Sequence, residues 1–75
     1  SLKVYPSPTS NLLNVTTDAI QITRISIQDV NGRIVWHSTP LNSASNIDVA
    51  NLNSGVYLIT VHTENGKETR KFIKQ

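Results

Sequence analysis

Seventy-five residues with no cysteine and a net charge of +2 make one domain with no disulfide framework and no thiolate metal site. Seven Lys and Arg against five Asp and Glu fall far short of the dense cationic footprint of a nucleic-acid binder, and no apolar run approaches the ~20 residues of a membrane-crossing helix. Val, Ile and Thr supply 23 residues and Asn and Ser eight each, a composition of strands and turns with little that favours helix.

In chain order, residues 3–5 predict a short opening strand that Pro6 and Pro8 stop, since proline cannot donate to a ladder. Residues 11–16 predict a second strand, with Leu13 and Val15 on one face and Leu12 and Asn14 on the other. Thr17, Asp18 and Ala19 form the next turn. Residues 20–29 are the longest expected extended run. Ile20 and Ile22 differ in parity from Ile25 and Ile27, which predicts a bulge near Thr23 and Arg24.

Asp29-Val30-Asn31-Gly32 carries Asp at the first and Gly at the fourth position of a type I turn. Its hairpin returns over residues 33–38, with Ile34 and Trp36 expected on the core face and Val35 and His37 opposite. Residues 39–46 read as a polar loop interrupted by Pro40 and Leu41, and residues 47–49 as a short strand. Leu52-Asn53-Ser54-Gly55-Val56-Tyr57 leads into a strand over residues 57–62 with Tyr57, Ile59 and Val61 on one side. Asn65-Gly66 is the strongest short hairpin signal in the chain, and the last strand covers residues 68–74. About seven short strands with turns between them predict an all-β, immunoglobulin-like antiparallel β-sandwich, a single domain over residues 1–75. Tyr57, entering a late strand just after a Gly-containing corner, matches the tyrosine corner of such sandwiches.

The residues that chemistry would need do not assemble. His37 and His62 each sit outward on a strand with no His, Cys or carboxylate at ligand spacing, so no metal or other cofactor is expected. Asp29 is explained as a turn residue and Asp48 as a solvent-facing strand residue. The serines lack a Gly-x-Ser-x-Gly elbow and a base partner, and nothing Gly-rich cradles a phosphate. No enzyme activity is expected. Four of the seven cations, Lys67, Arg70, Lys71 and Lys74, fall in the last nine residues, around Phe72 and Ile73. Such charges protect an edge strand from aggregation, and they equally suit a recognition strand.

Four of these segments, in this order, resemble the type IX secretion C-terminal sorting domain family. Its opening Tyr-Pro-Asn-Pro and Leu-x-Val are matched by Tyr5-Pro6-Ser7-Pro8 and Leu13-Asn14-Val15. Its Asp-x-x-Gly-Arg hairpin is matched by Asp29, Gly32 and Arg33. Its Leu-x-x-Gly-x-Tyr is matched by Leu52, Gly55 and Tyr57, and its basic closing strand by Lys71-Phe72-Ile73-Lys74-Gln75. Ser7 departs from the family's usual Asn, and is expected to make a weaker version of the same local turn.

The resemblance implies a non-catalytic signal that sends a cargo, N-terminal on the same full-length chain, across the outer membrane. Its implied partners are the type IX translocon and a sortase-like peptidase that commonly removes the tag, with the cargo released or anchored at the cell surface after transit through the periplasm. Residues 1–6 have no apolar h-region, so an inner-membrane signal is expected on another part of the protein. Recognition is expected at Lys67, Arg70, Lys71, Phe72, Ile73, Lys74 and Gln75, through the strand's edge or its charge. Tyr5, Pro6, Pro8, Leu13, Val15, Asp29, Gly32, Arg33, Leu52, Gly55 and Tyr57 are expected to serve mainly the fold. The alternative is an immunoglobulin- or fibronectin-like accessory module, a spacer, adhesin or carbohydrate-binding domain of an extracellular enzyme, for which an exposed Trp36 would argue.

Overall fold

Alternating apolar residues give Leu12–Thr16, Ile22–Gln28 and Gly55–Thr63 an apolar face, and such faces pack against each other. In the computed structural model, which describes residues 2–19, 21–39 and 43–75, the strands are β1 Lys3–Tyr5, β2 Leu12–Thr16, β3 Ile22–Gln28, β4 Ile34–Ser38, β5 Ala44–Asp48, β6 Gly55–Thr63 and β7 Gly66–Lys74. They form two antiparallel sheets, one in the order β1-β2-β5 and one in the order β4-β3-β6-β7. This is the expected sandwich.

The core lies between the sheets. Leu13 and Val15 of β2 and Ile47 of β5 face Ile22, Ile25 and Ile27 of β3, Tyr57, Ile59 and Val61 of β6, and Phe72 of β7, with Leu2 and Val49 completing the cluster. Each of these side chains contributes about 1.5–3 kcal/mol on full burial. Trp36, Val4 and Leu52 pack against the cluster half-buried.

The bulge expected near Thr23 is present. Ile22 pairs with Thr63 and Arg24 with His62, so one residue of β3 is left over and the core-facing parity switches between Ile22 and Ile25. Ile20, the other member of that expected alternation, and Pro40 and Leu41 of the expected polar loop lie outside the described residues. Within them, β6 and β7, at nine residues each, are longer than β3 at seven.

Two local expectations are corrected. Ile34 is exposed, not core-facing. Gln28 pairs with Ile34 but Ile27 with Trp36, so Val35 is an extra residue and the alternation resets between Ile34 and Trp36. The strand expected over residues 47–49 begins at Ala44, because Ala44, Ser45 and Asn46 pair with Thr16, Val15 and Asn14 in spite of their polar character.

The Asn65-Gly66 hairpin forms, but its two loop residues are Glu64 and Asn65, closed by the Thr63–Gly66 pair. No described non-glycine residue has a positive φ, whereas Gly66 stands at φ +119°. The turn is therefore not the type I′ form that needs Asn and Gly together at its centre.

Candidate functional site

The closing strand of the sandwich carries the residues singled out for recognition, and alternation divides them between two faces. Phe72 and Lys74 point inward and are buried at 0% and 7% exposure. The Phe72 ring stacks on Tyr57 with centroids 5.6 Å apart and planes at 21°. The Lys74 Nζ donates to the Gln75 carbonyl at 2.9 Å. Lys67, Lys71 and Ile73 occupy the outer face, where they pair with His62, Leu58 and Val56 of β6. Arg70 shares the parity of Phe72 but is exposed; its guanidinium donates to the Thr69 carbonyl at 3.1 Å and lies 3.5 Å from Glu68. Gln75 is exposed.

The opening motif is hydrogen-bonded to this strand. Thr9 N–H donates to the Ile73 carbonyl and Gln75 N–H to the Thr9 carbonyl, each at 2.9 Å, while Ile73 N–H donates to Ser7 Oγ at 3.1 Å. Thr9 Oγ1 in turn donates to the Leu12 carbonyl. Thr9 and Lys74 form a parallel bridge, and Thr9 is buried. Ser7, expected to stabilise only its own turn, instead reaches 66 positions along the chain. The peptides before Pro6 and Pro8 are both cis.

Thr9 is the tie that sequence reasoning missed. No local pattern marks a residue whose backbone partners are so distant. Ser7 carried a faint signal, as a hydroxyl standing where the family has a side-chain amide.

β7 ends its sheet, so one side of its backbone faces outward. Ile73 directs both its N–H and C=O to that side, towards Ser7 and Thr9. In a regular antiparallel strand alternate residues share an edge, so Thr69 and Lys71 present theirs there too. Beside this stretch runs an open groove of about 410 Å³ between β1 and β7, lined by Leu2, Lys3, Val4, Tyr5, Arg70 and Lys71.

The remaining motif residues build corners. Asp29 Oδ1 accepts the backbone N–H of Asn31 at 2.9 Å and of Arg33 at 3.0 Å. Its Oδ2 meets the Arg33 guanidinium at 3.1 Å. Gly32 N–H closes the turn on the Asp29 carbonyl at 3.0 Å, and its φ of +81° is one that a side chain would strain. The Arg33 N–H foremost, and then the Asn31 N–H and the Arg33 guanidinium, hold the Asp29 carboxyl below its ordinary pKa against a smaller opposing effect of burial. At the other corner, Tyr57 OH donates to the Asn53 carbonyl at 2.6 Å. That is the expected tyrosine corner. Leu52 packs half-buried behind it, Gly55 pairs with Lys74, and Leu13 and Val15 lie in the core.

Among the described residues no group of three His, Cys, Asp or Glu could hold a metal ion, and no helix is long and apolar enough to cross a membrane. His37 is exposed and His62 half-buried, on separate strands.

Comparison with known proteins gives one family and one fold. No curated protein matches the chain. Among solved structures, PorZ of Porphyromonas gingivalis, described as an essential bacterial surface component of the type IX secretion system, superposes with a TM-score of 0.77 at 17% identity. The match covers 99% of this chain but 11% of that one, and at such identity it speaks for the fold alone. The family described as the secretion system C-terminal sorting domain matches residues 3–75. The chain therefore belongs to the type IX secretion C-terminal sorting domain family.

Proposed function

We propose that this chain is a non-catalytic signal that directs a cargo, N-terminal on the same full-length protein, across the outer membrane by the type IX pathway. The observation that carries the reading is the meeting of its first and last motifs, in which Ser7 and Thr9 are hydrogen-bonded to Ile73 and Gln75. A folded chain alone brings those motifs together, so recognition acts on the folded domain. Within the closing strand, Lys67, Arg70, Lys71, Ile73 and Gln75 supply the exposed recognition surface, while Phe72 and Lys74 hold the strand in place. The translocon engages this surface during transit through the periplasm. A sortase-like peptidase then removes the tag upstream, and the cargo is secreted or anchored at the surface.

The accessory-module reading loses its main support in Trp36, which is half-buried against the core rather than displayed on an aromatic binding face. Fusing the chain to the C-terminus of a fluorescent protein that carries an inner-membrane signal tests the proposal in a host with an intact type IX pathway. Fluorescence in the medium or on the surface, lost in a translocon-deficient host, is the expected result. Periplasmic retention of a folded fusion in both hosts refutes it.

A further inference from the structure

The outer edge of β7 is closed at one end and open at the other. Residues 73–75 are covered by Ser7 and Thr9, whereas no strand pairs with the outer edge of residues 67–71 among the described residues. An unpaired row of N–H and C=O groups is a template for strand addition, and its side chains decide what is admitted. Lys67, Thr69 and Lys71 stand on the outer face of this stretch. On the other face Arg70 joins Leu2, Lys3, Val4 and Tyr5 in the open groove. The one carboxylate on the stretch, Glu68, lies beside Arg70.

A second copy does not suit this edge. Antiparallel self-pairing centred on Thr69 sets Lys67 directly opposite Lys71 twice over, and like charges facing each other across strands are destabilising. The same geometry favours a strand with carboxylates at those two positions. Successive residues alternate between faces, so the two carboxylates stand four residues apart. The residues flanking the central position then turn towards the groove, where Val4 and Tyr5 offer apolar surface beside Lys3 and Arg70.

We infer that residues 67–71 form a docking edge for an extended acidic protein segment, with carboxylates four residues apart opposite Lys67 and Lys71 and apolar side chains between them entering the groove beside β1. The inference rests on the sorting reading only for the identity of the machinery that carries such a segment. The docked strand takes main-chain hydrogen bonds from Thr69 and Lys71, and the Arg70 guanidinium leaves the Thr69 carbonyl to make way for it.

The test uses the isotope-labelled chain and a capped peptide containing Glu-Val-Thr-Val-Glu, followed by amide chemical shifts at low salt. Shifts centred on residues 67–71, weakening as salt is added, are expected. The Lys-Val-Thr-Val-Lys peptide should bind roughly five- to tenfold more weakly, as two reversed cross-strand charge pairs imply, and N-methylation of alternate peptide amides should abolish binding. The double variant K67E/K71E should reverse the preference between the two peptides.

Thr69→Pro, which removes an outward N–H and leaves the β6 ladder intact, should lose binding of both peptides without reversing charge. Equal binding of the acidic and basic peptides, shifts centred on β4 or β5, indifference to N-methylation, or no binding at all overturns the inference. Export separates it from the sorting reading. Normal export of a folded K67E/K71E fusion denies the edge a role in sorting while the tag remains a tag. A parent chain that binds the acidic peptide but is never exported leaves the edge standing and removes the sorting function.

Discussion

Asp29 uses both carboxylate oxygens on its own turn, taking two backbone N–H groups and the Arg33 guanidinium, and its side chain is only 15% exposed. Those donors favour the ionised form, so the folded pKa lies below the unfolded one. The stability it contributes is therefore fully present above the unfolded carboxylate's range, about pH 4, and is lost as pH falls through the lower folded value. Asp29→Asn should be less stable than the parent near neutrality, and the gap should narrow on acidification in urea unfolding at a series of pH values. A gap that stays constant with pH would show that charge plays no part.

At the second corner, Tyr57→Phe keeps the stack on Phe72 but removes the hydroxyl that donates to Asn53. It should lower the unfolding free energy by about 1 kcal/mol with an unchanged urea slope, and an unaltered midpoint would deny the corner bond any stabilising role. Both corners were legible in the sequence because their partners lie within four positions along the chain. Ile34 was not, since the extra Val35 is defined only by pairing with β3, and nothing in the sequence of residues 34–37 marks the break in alternation that it causes.

At the scale of one element, β7 shows why alternation is informative even where composition misleads. The run Lys71-Phe72-Ile73-Lys74 looks like a basic patch with apolar residues inside it, but period-2 geometry sends Phe72 and Lys74 inward and Lys71 and Ile73 outward. Phe72→Ala should cost about 3–5 kcal/mol, the usual range for emptying a filled aromatic site. Ile73→Ala, at 40% exposure, should cost under about 1 kcal/mol. Thermal or urea melts of the two variants decide the matter, and comparable losses would mean that the strand's faces are not separated as described. The sequence also foretold the β3 bulge, because its two pairs of isoleucines change parity. It could not foretell that β5 begins at Ala44. That stretch is polar, and it is a strand only because β2 supplies the other half of its ladder.

Across the whole molecule, the closure between residues 7–9 and 73–75 joins the two ends of the chain, a contact no local signal could announce. It also decides how the sorting role must be tested. Deleting residues 72–75 is the simplest test of a recognition role for the closing strand. In the fold the same deletion removes Phe72 from the core, at about 3–5 kcal/mol. It also removes the partners of Ser7 and Thr9, three hydrogen bonds of about 1 kcal/mol each. A domain of this size has roughly 4–11 kcal/mol in total, so the truncated chain should be largely unfolded. Circular dichroism should show the loss of β structure, and the truncated fusion should be retained or degraded in the periplasm whatever its surface residues do. A truncation that keeps a cooperative melt would refute this account of the closure, and its export would then report on recognition directly. If it unfolds as expected, its failure to reach the surface carries no information about recognition, and only substitutions at exposed positions such as Lys67 and Lys71, made in a folded domain, can locate the signal.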